Sequence, residues 1–194
     1  MKKYLLLCLA FFSPLSWGFS QAELIQQLQK PQSVQGDFTQ QRFLKALAKP
    51  IVATGKFALV AHKGLLWQME KPFASQMKVT EQGISQWNGM RWVASSNVGQ
   101  AEQIQLFLGL LSGDISALSN QFDLTLTGSA TDWHLALQPN SLLMKQIFEQ
   151  ITLQGGSVVN AIELKEKQGD RTLIQFHQHQ VNQPLANDVR SALP

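Results

Sequence analysis

Over most of this 194-residue chain, apolar residues recur at every second position. Leu65, Trp67 and Met69 share one face of such a run, and Phe57 and Leu59 share a face of the run before it. A period of two places alternate side chains on opposite faces of a β-strand, so each run predicts a strand with one buried face. Because short turn signals separate the runs, neighbouring strands are expected to be antiparallel. The alternation therefore predicts a mainly β protein.

The alternating runs and their turns predict about ten to eleven strands. Asn88-Gly89 is the strongest hairpin signal, because Asn-Gly accepts the positive φ of a type I′ turn. The later strands are predicted at Phe122–Thr127, Trp133–Gln138, Glu149–Leu153, Val158–Lys165 and Arg171–Val181. So many short antiparallel strands favour a curved sheet or partial barrel, with helices covering one opening.

Two stretches depart from the period of two. Ser20 and Glu23 form a capping box, after which Leu24 and Leu28 share one helical face until Pro31 ends the helix. A second helix is predicted over 101–111 from apolar residues at helical spacing. The apolar faces of the two helices comprise Leu24, Leu28, Ile104, Phe107, Leu108 and Leu111.

The N-terminus has the pattern of a secretory leader. Two lysines precede the apolar run Tyr4–Phe12, and the small residues Ser16 and Gly18 follow it two positions apart, as signal peptidase prefers. The run is too short for a membrane span, which needs about 20 apolar residues. We therefore predict a signal peptide at residues 1–18, with cleavage as late as residue 22. Residues 19–194 then form a single domain outside the cytoplasm.

Removal of the leader changes the charge of the chain. The full sequence has 16 basic and 13 acidic residues, and loss of Lys2 and Lys3 leaves 14 against 13. Without a basic cluster, the mature chain lacks the electrostatic pattern of a nucleic-acid-binding protein. Cys8, the single cysteine, also leaves with the leader. The mature domain is therefore predicted to contain neither a disulfide nor a cysteine-based zinc site.

The common motifs of catalytic, nucleotide-binding and metal-binding sites are missing from the sequence. It contains no G-x-G-x-x-G, P-loop, H-E-x-x-H or G-x-S-x-G pattern. His177 and His179 fall two apart on one face of a predicted strand, but two ligands do not make a metal site. We predict no catalytic residue, metal or cofactor. An enzyme whose residues assemble only in space, and a docking module for protein partners, stay open as alternatives.

An ordered set of motifs behind the leader resembles the LolA family, the periplasmic carriers of outer-membrane lipoproteins in Gram-negative bacteria. The family pattern is Phe-x-Gln, a Gly that opens the next strand, a strand that ends in Trp, and a Pro five residues later. The matching elements are Phe38-Thr39-Gln40, Gly55, Trp67, Pro72 and the hairpin 79–87. The resemblance covers residues 24–92 most clearly.

The resemblance implies an unclosed antiparallel β-barrel of about 10–11 strands, with short helices as a lid over a hydrophobic cavity for acyl chains. Periodicity alone does not distinguish such a cavity from a filled core. It also implies an acylated lipoprotein or other envelope lipid as cargo, an inner-membrane transporter as donor, an outer-membrane acceptor and a monomeric carrier. The cavity is predicted to be lined by Phe38, Phe57, Leu59, Leu65, Trp67, Met69, Met77, Val79, Trp87 and Trp92.

One position departs from the family pattern. The lipoprotein carriers have an Arg-Pro pair six and seven residues after the strand-opening Gly, and the arginine is thought to help latch the lid. Here those positions are Ala61 and His62. The stretch Phe107–Asp114 resembles a divergent branch of the family, part of which is similar to proteins that handle envelope lipids of the aryl polyene type. A non-lipoprotein lipid is the alternative cargo.

Overall fold

The structure is a computed structural model that describes residues 18–94, 109–113 and 118–194. Eleven strands make up its sheet. They are β1 (Ser33–Phe43), β2 (Ile51–Val60), β3 (Gly64–Lys71), β4 (Ser75–Thr80), β5 (Gly83–Trp87), β6 (Trp92–Ala94), β7 (Phe122–Ser129), β8 (Asp132–Pro139), β9 (Phe148–Gly155), β10 (Val159–Glu166) and β11 (Arg171–Val181). Three helices accompany the sheet in these ranges, namely α1 (Gln21–Gln29), α2 (Leu142–Ile147) and α3 (Asn187–Ala192), and residues 109–112 are also helical.

All eleven strands belong to one antiparallel sheet in the order β6-β5-β4-β3-β2-β1-β11-β10-β9-β8-β7. Consecutive strands pair as hairpins on each side, and the pairing of β1 with β11 joins the two halves. β6 and β7 are the two edges and do not pair with each other, so the sheet does not close. The predicted fold class, an unclosed antiparallel sheet of 10–11 strands with short helices, is confirmed.

The sheet has an inner face covered by α1 and an outer face covered by α3. Leu24 and Leu28 of α1 are buried in the main apolar core on the inner face. On the outer face a smaller core joins Val189 of α3 to Ala58 and Leu66 of the sheet. Both faces of β2 and β3 are therefore buried, which explains why apolar residues occupy consecutive positions there.

The predicted capping box at the start of α1 is confirmed. The Ser20 side chain accepts a hydrogen bond from the Glu23 backbone N–H (3.3 Å), and the Glu23 carboxylate accepts one from the Ser20 N–H (2.8 Å). Hydrogen bonds from the Ser20 side chain and backbone lower the pKa of Glu23, because they favour the ionised carboxylate. The box fixes where α1 begins and so where its apolar stripe meets the sheet.

The prediction of a type I′ turn at Asn88-Gly89 is wrong. Four residues, 88–91, separate β5 from β6, and the Asn88 side-chain oxygen accepts hydrogen bonds from the backbone N–H groups of Met90 (3.0 Å) and Arg91 (2.9 Å). Gly89 has a positive φ of 98°, whereas Asn88 does not. The Asn side chain thus closes a longer turn in place of a two-residue one.

Candidate functional site

The pairing register brings the predicted inner residues of β2, β3 and β4 side by side. Phe57 pairs with Trp67, and Trp67 pairs with Met77. Leu65 lies between Leu59 and Val79 in the same way. Opposite residues of an antiparallel pair share a face, so these side chains form continuous apolar rows across three strands.

Aromatic rings fill the centre of the inner face. The rings of Phe38 and Trp67 are stacked, with centroids 3.7 Å apart, and Phe57 meets Phe176 edge-on at 4.8 Å. Trp67 also meets Phe176 edge-on at 6.3 Å. Since β1 is placed between β2 and β11, these four rings come together from four strands of the sheet. This aromatic cluster is packed core in the structure.

An open cleft of about 560 Å³ lies next to the aromatic cluster, at the end of the sheet where α1 ends. Leu28 of α1, Val34 of β1, Leu59 of β2 and Ser112 contribute to its wall. The remaining wall is formed by Gln29, Pro31, residues 60–64 and Glu81. Its volume is within the range of about 300–1,000 Å³ that is usual for small-molecule sites.

A small void of about 20 Å³ extends the apolar surface of the cleft towards the aromatic cluster. It shares Leu28, Val34 and Leu59 with the cleft and adds Phe57 and Leu111. Of the predicted cavity residues, Leu59 therefore lines both spaces and Phe57 lines the void. The other predicted residues on the inner face pack in or against the core, namely Phe38, Leu65, Trp67, Met69, Met77 and Val79.

The prediction that Trp87 and Trp92 line the interior is wrong. The two residues pair with each other across β5 and β6, and their rings meet at 5.5 Å. Trp92 packs against the outer-face core, and the Lys78 ammonium lies 5.0 Å from its ring centroid. The Lys78 side chain also donates to the Ala192 carbonyl at the end of α3 (3.0 Å). Both tryptophans thus lie on the outer face, and Trp92 packs against the core that holds the C-terminal segment.

Three glutamines attach α1 to the β7–β10 half of the sheet and to the segment at 109–113. Gln21 donates to the Leu124 carbonyl (3.1 Å), while Gln27 donates to the carbonyls of Ala130 (3.0 Å) and Gly156. Gln29 donates to the Gly113 carbonyl at 3.3 Å. Such neutral hydrogen bonds contribute about 0.5–1.5 kcal/mol each. In the described part of the chain no ion pair involves α1, so apolar packing and exchangeable hydrogen bonds hold the helix down.

The second helical segment contacts α1 through a glycine. Gly113 has a φ of +74°, and a Cβ added there would lie 2.6 Å from the Leu28 Cβ. Leu110 and Leu111 are buried in the main core. Of the four apolar residues predicted for this helix, only Leu111 can be placed, because Ile104, Phe107 and Leu108 lie outside the described residues.

Replacing Gly113 by Ala should separate this segment from α1. We expect the substitution to cost about 2–4 kcal/mol, since it adds a buried clash to an unfavourable positive φ. Gly89→Ala is the matched control: its φ is also positive, but no atom lies within 4 Å of the added Cβ. Denaturant unfolding and hydrogen exchange of the α1 amides check this prediction. Equal losses for the two variants would contradict it.

The residues that replace the family's Arg-Pro pair lie at the mouth of the cleft. Ala61 and His62 form the turn between β2 and β3, and His62 has a left-handed φ of +60°. The Ala61 N–H donates to the Gln32 carbonyl (2.9 Å), which ties the turn to the segment after α1. The turn thus forms one wall of the mouth.

His177 and His179 do not share a face, contrary to the prediction. The register between β1 and β11 shifts between Gln35 and Asp37, and Gln178 has a φ of +51°. This bulge moves one extra residue into β11, so His177 is exposed whereas His179 is half-buried. The His179 Nε2–H donates to the Val159 carbonyl (3.1 Å), and its ring lies 6.2 Å from that of Phe57.

Burial lowers the pKa of His179 below the ordinary value near 6.5, and the charge of His177 lowers it further. Because the unfolded chain then binds the proton more readily, stability is full above pH 6.5 and falls as the pH drops through the lowered pKa. His179→Gln should reduce the loss of unfolding free energy between pH 7.5 and 5. The exposed-site control His134→Gln should retain the wild-type loss. Parallel pH profiles for His179→Gln and wild type would contradict the assignment.

Two further properties concern the described ranges alone. Residues 18–94, 109–113 and 118–194 contain no group of three or more His, Cys, Asp or Glu side chains placed to hold a metal ion. Within the same ranges, none of the helices combines the length and the hydropathy that crossing a bilayer requires.

The fold and the cleft define a β-sheet protein with an apolar inner face beneath short helices. Residues 29–189 match the family described as "Outer membrane lipoprotein carrier protein LolA". The chain therefore belongs to the LolA family. No curated protein matches its sequence.

Solved structures similar to this chain have low sequence identity to it. MucB in its complex with MucA from Pseudomonas aeruginosa is 16% identical, with a TM-score of 0.52 over 86% of this chain and 57% of that one. The crystal structure of MucB alone is 15% identical, with a TM-score of 0.53 over 87% and 61%. A LolA superfamily protein from Nitrosomonas europaea is 8% identical, with a TM-score of 0.48 over 88% and 97%. The chain thus spans about three fifths of the MucB chains, and the likeness to MucB shows the fold alone.

Proposed function

We propose that the protein is a periplasmic carrier that holds acyl chains against its inner face and releases them without a covalent step. The observation that carries this proposal is the cleft of about 560 Å³, whose wall includes Leu28 and Leu59 and continues towards the aromatic cluster. Membership of a family described as lipoprotein carriers supports the same reading. The cargo is an acylated lipoprotein or another lipid-linked molecule of the envelope.

Burial of methylene groups supplies the binding energy. Each CH₂ removed from water is worth about 0.8 kcal/mol, so a chain of ~16 carbons gains up to ~13 kcal/mol before entropic and opening costs. The cleft takes up the first part of the chain. Deeper entry requires Leu28 and Leu111 to move, since they line the narrow void beneath it. Met69 and Met77 beside the aromatic cluster are flexible side chains that can repack around a ligand.

Release needs a lid that opens at modest cost. The glutamine contacts of α1 with Leu124, Ala130, Gly156 and Gly113 are neutral hydrogen bonds that water can replace. In the proposed cycle, α1 and the segment at 109–113 move away from the sheet together, because Gly113 keeps the two in close contact.

Two residues at the mouth of the cleft bear on which class of cargo the protein carries. Ala61 and His62 stand where the lipoprotein carriers have Arg-Pro, so the arginine latch of those carriers has no counterpart at this turn. This difference favours a second candidate cargo, a non-lipoprotein envelope lipid of the aryl polyene type. Competition between an acylated peptide and a free lipid for one bound probe would separate the two cargoes.

The proposal also covers location and partners. Residues 1–18 direct export and residues 19–194 form the carrier domain, with cleavage as late as residue 22. An inner-membrane transporter donates the cargo and an outer-membrane protein accepts it. The carrier acts as a monomer without cofactor or catalytic residue.

Native mass spectrometry of protein purified from the periplasm of a Gram-negative host tests this function. We expect a fraction with one bound lipid, and delipidated protein that takes up an acylated peptide one to one. The matched control is the same peptide without its acyl chain, which should not bind. Lipid-free protein that also fails to take up the acylated peptide would contradict the proposal.

A further inference from the structure

In an antiparallel sheet, successive connections between neighbouring strands alternate between the two ends of the sheet. Five connections of this sheet lie at the end opposite the cleft. Following the strand order, these are the connections 88–91, 72–74, 44–50, 167–170 and 140–147. The Lys45 N–H donates to the Asp170 carboxylate (3.0 Å), and the Lys167 N–H donates to the Ile147 carbonyl (3.0 Å). These two bonds join the connection 167–170 to the connections 44–50 and 140–147. We name the five connections together the loop rim.

Exposed large apolar side chains concentrate on the loop rim. Phe73 is 78% exposed, Met90 is 87% exposed and Leu142 is 83% exposed, and each lies within one of its connections. Leu47 and Leu143 are exposed there too, while Ile51, Val52 and Trp87 are exposed at strand ends that adjoin it. Val93, the second residue of β6, is exposed beside the rim in the same way as Val52, the second residue of β2. An apolar set gathered at one end is the mark of an interaction surface.

Positive charge accompanies these apolar side chains. The five connections contain one acidic residue, Asp170, and that carboxylate already accepts the Lys45 N–H. Their basic residues are Lys45, Lys49, Arg91, Lys145 and Lys167. By contrast, the described connections at the cleft end, 61–63, 81–82, 130–131 and 156–158, carry one basic and one acidic residue and no exposed large hydrophobic residue. The mature chain is therefore nearly neutral as a whole but basic at one end.

Basic side chains interspersed with protruding apolar side chains are suited to an anionic membrane surface. Apolar tips insert at the boundary between headgroups and acyl chains, and lysines and arginines are attracted by anionic headgroups. We propose that the loop rim docks on an anionic membrane surface, with Phe73, Met90 and Leu142 inserted into the headgroup layer. Docking in this orientation leaves the cleft, which lies at the opposite end of the sheet, facing away from the bilayer and open to a partner.

Flotation of the delipidated protein with lipid vesicles tests the proposal. We expect binding to phosphatidylethanolamine vesicles containing phosphatidylglycerol, at least tenfold weaker binding to pure phosphatidylcholine vesicles, and a decline as salt is raised. Phe73→Ser combined with Met90→Ser should weaken binding at least tenfold. Phe73→Leu combined with Met90→Leu is the matched control, because it changes the same two positions but keeps both side chains apolar, and it should leave binding nearly unchanged.

A second pair of variants tests the charges separately. Lys45→Gln and Lys49→Gln should each weaken binding to the anionic vesicles about fivefold, the change expected for one lysine at a charged membrane surface. Lys56→Gln, on β2 and away from the connections, should have little effect. Failure of the wild-type protein to float with anionic vesicles would overturn the proposal, as would unchanged flotation of the Phe73 and Met90 double variant.

The same preparations distinguish this proposal from the carrier function. Uptake of an acylated peptide should be unchanged in all the rim variants, since no rim residue lines the cleft or the void. Wild-type protein that floats with anionic vesicles but does not take up the acylated peptide would contradict the carrier function alone. Wild-type protein that takes up the peptide but does not float would overturn the membrane docking alone.

Discussion

Replacing Leu59 by Asp should weaken uptake of a C16 acyl probe by more than tenfold while the protein stays folded. Leu59 is half-buried and lines both the cleft and the void that leads to Phe57. In the free protein the new carboxylate can stay hydrated in the open cleft. A bound acyl chain would have to exclude that water, and burying an unpaired carboxylate costs several kcal/mol. Titration of a fluorescent C16 fatty acid measures the change.

Leu126→Asp is the matched control for this prediction. Leu126 is partly buried and packs against the same core from β7, but it lines neither the cleft nor the void. The control should therefore lose stability without a comparable loss of affinity in the fraction that remains folded. Equal effects of the two substitutions on probe affinity would place the acyl site elsewhere.

Phe38→Ala should destabilise the protein by about 3–5 kcal/mol, the usual cost of removing a buried aromatic side chain. Phe38 is 1% exposed and stacks on Trp67 at the centre of the aromatic cluster. For a chain of this size the loss corresponds to a fall in Tm of about 6–20 °C. Denaturant unfolding followed by circular dichroism measures the difference.

The outer-face residue Trp87 provides the comparison for Phe38. Trp87 is 39% exposed and contacts Trp92 at the edge of the sheet, so Trp87→Ala should cost about 1 kcal/mol. A loss as large as that of Phe38→Ala would contradict the assignment of these two aromatic residues to different faces and degrees of burial.

The strands of the sheet were predictable because their apolar residues follow the pleat. Arg171–Val181 was predicted with the bounds observed for β11, and the other predicted strands of the C-terminal half overlap β7 to β10. The capping box likewise located α1, since it depends only on contacts between Ser20 and Glu23. Such signals are local, and a local pattern can be read directly from the order of residues.

The face of the sheet on which a given side chain lies was harder to predict. Trp87 and Trp92 flank a turn and are apolar, which suggested the interior, but α3 covers the outer face there and gives that side a core of its own. α3 is six residues long and has no side-chain cap, so its sequence carries little helical signal. The bulge at Gln178 reversed the parity of β11 in a similar way, and periodicity does not reveal such an insertion.

A filled core and a lined cavity have the same sequence pattern, so the site itself was only partly predictable. Leu59, Leu65 and Trp67 all occupy inward-facing positions of the alternating pattern. Leu65 is nevertheless fully buried, and Trp67 is stacked on Phe38. Leu59 differs because it lies near the end of β2, where α1 ends and the cleft opens. Whether a residue faces a space depends on where the covering helices stop, which is a property of the tertiary structure.

The central claim is that an acyl chain binds at the inner face, and quenching of tryptophan fluorescence by a brominated C16 fatty acid tests it most directly. Two variants would be compared, one retaining only Trp67 and the other only Trp92, with the remaining tryptophans of the mature chain replaced by Phe. Saturating ligand should quench Trp67 strongly, because that residue borders Phe57 and Met77 on the inner face. Trp92, on the outer face, should keep its fluorescence. Quenching of Trp92 without quenching of Trp67 would contradict the account.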